Sequence, residues 1–136
     1  MTTTVLPITL TFAGAAAILN IWLAARVSQL RARHKVSIGD GGNEALIRRM
    51  RAHANYGENM PVVLILIALL ELAGGDPRIL WGAAILFIIT RILHAFGMDR
   101  PHPSKLRAIG MMGSTLALVV LIGYAIFAVY RHPPVI

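Results

Sequence analysis

Cysteine is absent from this 136-residue chain. Its absence excludes disulfides, thiolate metal sites and a cysteine nucleophile, and leaves the redox compartment unreadable. Charge is scarce: 14% of residues are Asp, Glu, Lys or Arg, and only six are acidic against thirteen basic. No second histidine follows His53 at i+4 to suggest zinc. The glycine-rich stretch Ser37-Ile38-Gly39-Asp40-Gly41-Gly42-Asn43 lacks the lysine and Ser/Thr of a phosphate-binding loop. Internal repeats and low-complexity tracts are missing. No nucleic-acid-binding signature accompanies the net charge of +7, so no nucleic-acid partner is expected.

Apolar surface is what the chain has in quantity. Hydrophobic residues make up 57% and the mean hydropathy is +0.69, too high for a soluble domain of this size. The fold class expected is all-α: an integral membrane four-helix bundle forming one domain over residues 1–136, with spans at about 5–25, 44–73, 78–96 and 106–130. At 1.5 Å per residue the first run reaches about 30 Å, enough to cross. No basic segment precedes it, so it does not read as a cleavable signal peptide. Asn43 is placed to cap the second helix, and Gly74-Gly75-Asp76-Pro77 is a strong stop. The fourth span ends in Arg131-His132-Pro133-Pro134.

Lys and Arg placement predicts topology. Eleven of the thirteen basic residues fall around the first and third connections, leaving Arg78 and Arg131 on the other side. The first and third loops are expected in the cytoplasm and both termini opposite.

The second span carries a polar stripe. Arg51, Asn55 and Glu58 recur at i, i+4 and i+7 and fall within about 60° on one helix face. Charges entering a bilayer are costly and mark a site or a buried pair. Arg51 and Glu58 can pair with each other or tie neighbouring helices. Alternatively, Arg51 and Asn55 offer donors to a carboxylate and Glu58 accepts from an amino group, which suits a small zwitterionic peptide. His53 lies opposite with Arg49 and Tyr56, facing another protomer, another helix or the headgroups. Arg91 and His94 share a face at i, i+3, explained equally by a salt bridge or a site. Arg107 has Met111 and Ser114 extending its stripe inward. Asn20 is expected to bond another helix and Glu71 to reach water. Two small-residue stripes, Ala13/Gly14/Ala17 and Gly110/Gly113/Ala117, read as helix-packing surfaces.

The segment Arg51-Ala52-His53-Ala54-Asn55-Tyr56-Gly57-Glu58-Asn59-Met60-Pro61 resembles the signature of the MAPEG family, membrane-associated proteins of eicosanoid and glutathione metabolism. Lys35 to Gly42 looks like its small bacterial inner-membrane branch, and Arg91-x-x-His94 through Arg107 looks like its helix-three to helix-four region. The resemblance implies a homotrimer in a bacterial inner membrane, with both termini periplasmic and glutathione bound between protomers as co-substrate. By motif position it implies Arg51, His53, Asn55 and Glu58 as glutathione ligands. It adds Arg31, with Arg26 and Arg33 as alternatives, and His94. It makes Arg107 the catalytic arginine beside the glutathione sulfur.

The nucleophile missing from the chain would then arrive with the co-substrate, its thiol acidified by a guanidinium. The implied activity is a glutathione-dependent transferase or peroxidase acting on apolar electrophiles or lipid hydroperoxides. Met98 and Met111 stand where family members carry hydroxyl-bearing residues, and Ala108 where the prostaglandin branch has serine, which argues against specific prostaglandin or leukotriene synthesis. The competing expectation is a non-catalytic protein that holds glutathione, lipid or a protein partner on its basic face. A transporter is weakly supported, because no pair of broken helices is present.

Overall fold

The computed structural model describes residues 5–101 and 104–131. His132, Pro133 and Pro134, expected to close the fourth span, and the two terminal segments lie outside the described residues. Four helices run in chain order: α1 (Pro7–His34), α2 (Glu44–Leu72), α3 (Pro77–Met98) and α4 (Lys105–Arg131). Each is long and apolar enough to cross a membrane.

The helix ends follow local chemistry. Pro7 and Pro77 sit at first-turn positions, where proline loses no helical hydrogen bond. Asn43 Oδ1 accepts from Leu46 N–H at 2.9 Å and Asp76 Oδ1 accepts from Arg78 N–H at 2.8 Å, so both connections end in side-chain caps. Gly74, at φ 74°, terminates α2 in the left-handed region while Gly75 N–H returns to Leu70 O at 2.8 Å. α1 does not stop with its apolar run: it continues through the basic stretch to His34 and ends at Lys35, itself at φ 54°. Pro61 lies inside α2 without ending it, and lacks the N–H that would satisfy the Gly57 carbonyl.

α2 and α3 form the central pair. Each touches α1 and α4, whereas α1 and α4 do not meet among the described residues. The core is built from Phe12, Tyr56, Val63, Ile67, Phe87 and Leu121. Phe87 meets Phe12 edge-on at 5.9 Å. The Tyr56 hydroxyl, which could not be left unpaired there, donates to Ala16 O at 2.5 Å.

α3 and α4 approach most closely, and the small-residue stripe of α4 is the reason. A Cβ at Gly110 would stand 2.5 Å from the His94 backbone nitrogen. One at Gly113 would overlap the Thr90 side chain, and one at Gly97 would overlap the backbone of Arg107. The α1 stripe behaves otherwise. Gly14 has nothing within 4 Å and Ala17 is exposed, so this stripe is not an intrachain packing surface. α1 packs instead through Phe12, Ala16, Leu19 and Leu23. Large apolar side chains, among them Ile18, Ile65, Ile85, Leu116 and Val119, face outward. In water that surface would be intolerable; against lipid it needs no cover.

Candidate functional site

The first and third loops lie at one end of the bundle, joined by Asp99. Its carboxylate receives the guanidinium of Arg26 from α1 and Nε of Arg49 from α2, the latter at 3.1 Å. Arg49 Nη1 also donates to Arg26 O at 2.9 Å. The Arg26 guanidinium lies 4.6 Å from the Trp22 ring centroid and 5.4 Å from that of Phe96. Arg26 is therefore buried in a three-helix clamp. Arg31 turns to the glycine-rich loop, donating to Gly39 O at 2.7 Å and Ser37 O at 3.5 Å. Arg33 is exposed.

On α2 the stripe faces outward. Arg51 and Glu58 are exposed and Asn55 is half-buried. The Arg51–Glu58 pair is not formed among the described residues. The six acidic side chains make the contrast plain. Asp40 accepts from Gly42 N–H, Glu44 pairs with Arg48, Glu71 and Asp76 cap helices, and Asp99 clamps three helices. Glu58 alone makes no hydrogen bond or ion pair among the described residues. His53, on the other face, meets Asn20 Oδ1 at 2.9 Å. Of the three neighbours expected for it, another helix is the one found, and Asn20 bonds across helices as expected.

Arg91 corrects the salt-bridge expectation. It is 2% exposed and has no carboxylate partner among the described residues. Nη1 donates to Asn55 Oδ1 at 2.5 Å, and Nη2 donates to Ser114 Oγ at 2.6 Å and to Gly110 O at 3.2 Å. The Phe87 ring lies 5.9 Å from the guanidinium carbon. Neutral oxygens from α2 and α4 thus hold a cation that belongs to α3.

His94 is buried where its backbone meets Gly110. Arg107 is exposed at the start of α4, its backbone against Gly97. The fold therefore gathers Asn55, Arg91, His94 and Ser114 at one α2–α3–α4 junction, beside the outward Arg51 and Glu58. Within one chain it does not bring Arg31, His53 or the Arg107 side chain into hydrogen-bond contact with that stripe. Glu71 keeps the partial exposure expected of it and does more. Instead of merely reaching water, it accepts from the Ile8 and Thr9 backbone N–H groups at 2.9 and 2.8 Å.

Asp99 escaped the sequence reading. Its two partners sit 73 and 50 residues away, so no helical spacing signals the clamp. An open apolar groove of about 740 Å³ runs along α3 and α4, lined by Leu86, Thr90, Ile109, Met112, Leu116 and Val119.

Four membrane-length helices around a charged junction near one end define an integral, multi-pass membrane protein. The MAPEG family model matches residues 9–127, and the chain belongs to that family. It is also similar to the inner membrane protein YecN of Escherichia coli, from strain K12 and from strain O6:H1. In each case 26% of residues are identical over 111 residues, covering 82% of this chain and 84% of the relative.

Proposed function

We propose that this chain is a membrane-bound, glutathione-dependent transferase or peroxidase that attacks apolar electrophiles or lipid hydroperoxides with a glutathione thiolate. The observation that carries the reading is Glu58: the one carboxylate left unengaged among the described residues, on an exposed face of a membrane helix, with Arg51 and Asn55 beside it. A carboxylate there against lipid alone would be strongly unfavourable. A ligand bearing both an amino group and carboxylates matches the stripe. Arg51 provides a fork for a carboxylate, Asn55 a directional amide, and Glu58 an acceptor for ammonium. Arg31, His53 and His94 complete the proposed binding set.

The stripe faces out of its own protomer, so a second copy is the natural second wall. We place glutathione between subunits of a homotrimer in a bacterial inner membrane, with the basic loops cytoplasmic and both termini periplasmic. Arg107 is the proposed catalytic residue. Its role is to hold the glutathione sulfur as thiolate by lowering the thiol's pKa. The sulfur then displaces a leaving anion from, or adds across an activated double bond of, an apolar electrophile. With a hydroperoxide it takes the terminal oxygen, releasing the alcohol, and a second glutathione converts the sulfenic acid to glutathione disulfide and water. The groove along α3 and α4 offers that acceptor an apolar approach from the bilayer.

The test is thiolate absorbance at about 240 nm on adding glutathione to purified protein. A saturable signal is expected in the wild type and its loss in Arg107→Ala. No signal in the wild type, or an undiminished one in Arg107→Ala, counts against catalysis. A non-catalytic binder is favoured by Met98, Ala108 and Met111, none of which carries a hydroxyl to aid turnover. Glutathione binding without a thiolate signal selects that reading. Binding of anionic lipid alone, weakening with salt, selects a lipid-binding protein.

A further inference from the structure

Arg91 is a cation buried among neutral groups, and its geometry decides how a neighbouring side chain is presented. A guanidinium donates and cannot accept. Ser114 sends its own hydroxyl proton toward Gly110 O at 2.8 Å or Met111 O at 3.0 Å, leaving its lone pairs for Arg91. With Nη2 anchored there and on Gly110 O, Nη1 has a fixed direction, and Asn55 Oδ1 lies in it at 2.5 Å.

A carboxamide has two ends of nearly equal size, and nothing in its shape selects which one points out. Facing a donor-only group, it must turn its oxygen inward. The Asn55 amide nitrogen is left on the outward edge, with no partner among the described residues and with Arg51 and Glu58 on the same face.

We infer that Arg91 is a positioning residue that locks the Asn55 carboxamide oxygen-inward, so that Asn55 presents N–H only and the site selects a carboxylate or peptide-carbonyl oxygen at that point. The inference rests on the peptide-binding reading above and adds the polarity of one contact. A serine or glutamine at position 91 could rotate to match either end of the amide. A guanidinium pinned by two further acceptors cannot, which gives a physical reason for burying a cation where an apolar residue would fill the space.

The experiment is a double-variant cycle, with glutathione titrated calorimetrically into purified protein. Asn55→Ala is expected to weaken binding about tenfold in the wild-type background, the loss of one hydrogen bond to a charged group. In the Arg91→Met background the same change is expected to cost less than about twofold, because the amide is no longer oriented. Where Arg91→Met does not fold, Arg91→Lys stands in. It keeps a donor for Asn55 and should retain most of the tenfold effect, whereas Ser114→Ala added to it should reduce that effect. An equal Asn55→Ala penalty with and without the Arg91 guanidinium, and with or without Ser114 in the lysine background, overturns the proposal. A purely structural Arg91 gives that result, with only the melting temperature moving.

A second arm includes a readout that needs no ligand. Asn55→Asp keeps an oxygen toward Arg91 and neutralises its charge, so the melting temperature should match or exceed that of the wild type while glutathione binding falls at least about tenfold. A lower melting temperature overturns the inward orientation. Absence of glutathione binding in the wild type removes the functional reading, and the melting comparison still decides the orientation.

Discussion

Thr9, in the first turn of α1, gives both its backbone N–H and its hydroxyl to Glu71 Oε2, at 2.8 and 2.6 Å. The N-cap residue of α1 is Leu6, whose side chain cannot accept a hydrogen bond. A carboxylate from the end of α2 therefore does, across the fold, what a serine or aspartate does locally, and it adds a favourable charge at the helix N-terminus. Glu71→Ala should lower stability by about 1–3 kcal/mol. Glu71→Gln, which keeps one acceptor, should lower it less. Thermal unfolding in detergent followed by circular dichroism checks both; wild-type stability in Glu71→Gln would remove the charge component.

Asp99 is the carboxylate toward which Arg26 and Arg49 converge. Asp99→Ala should cost about 2–3 kcal/mol, chiefly by leaving Arg26 buried without a counter-charge. Arg26→Met added to Asp99→Ala should recover part of that loss, because the stranded cation is gone. Strictly additive losses in the double variant would show that the pair is not coupled.

Gly97 and Gly110 allow α3 and α4 to touch backbone to backbone. Gly97→Ala and Gly110→Ala should each destabilise by about 1–3 kcal/mol through overpacking, and Gly110→Ala should also displace the carbonyl that holds Arg91. Gly123, with nothing within 4 Å of an added Cβ, is the control. Gly123→Ala should leave stability unchanged or raise it by about 0.5–1 kcal/mol. A comparable loss at all three positions would argue against the close-contact explanation.

Among the described residues Arg51 and Glu58 make no side-chain hydrogen bond or ion pair within the single chain. Arg51→Met and Glu58→Gln should each move stability by less than about 0.5 kcal/mol. Both should nevertheless weaken glutathione binding at least about tenfold. Large stability losses without an effect on binding would reassign the stripe to helix assembly.

The absence of native cysteine makes topology easy to read by single-thiol labelling. In right-side-out vesicles a membrane-impermeant maleimide should label Ala73→Cys directly and Ser37→Cys only after permeabilisation. The reverse pattern would invert the proposed orientation.

Span positions were legible because hydropathy and turn chemistry are local: Asn43, Gly74 and Pro77 stand at helix boundaries as their residue types require. The α4 glycine stripe was legible as a packing surface because a helix at 3.6 residues per turn aligns Gly110, Gly113 and Ala117. The partners of Arg91 were not. They come from two other helices, α2 and α4, and spacing along α3 can show that Arg91 and His94 share a face but not that Asn55 and Ser114 wait opposite. Periodicity likewise cannot say which neighbour a stripe meets: Ala13, Gly14 and Ala17 share a face, but within the chain α1 packs through the adjoining one. Asp99 and Glu71 act through contacts more than forty residues away, beyond the reach of any periodicity.

The neutral cradle around Arg91 also bears on biogenesis. Ser114 and Gly110 belong to α4, so when α3 emerges from the ribosome these two acceptors are still inside the exit tunnel and Asn55 of α2 is the one hydrogen-bonding partner already outside. A lone α3 released sideways into lipid would carry a bare cation. Burial of Arg91 is therefore complete only once α4 has joined α3, which favours entry of the last two helices into the bilayer together as a hairpin.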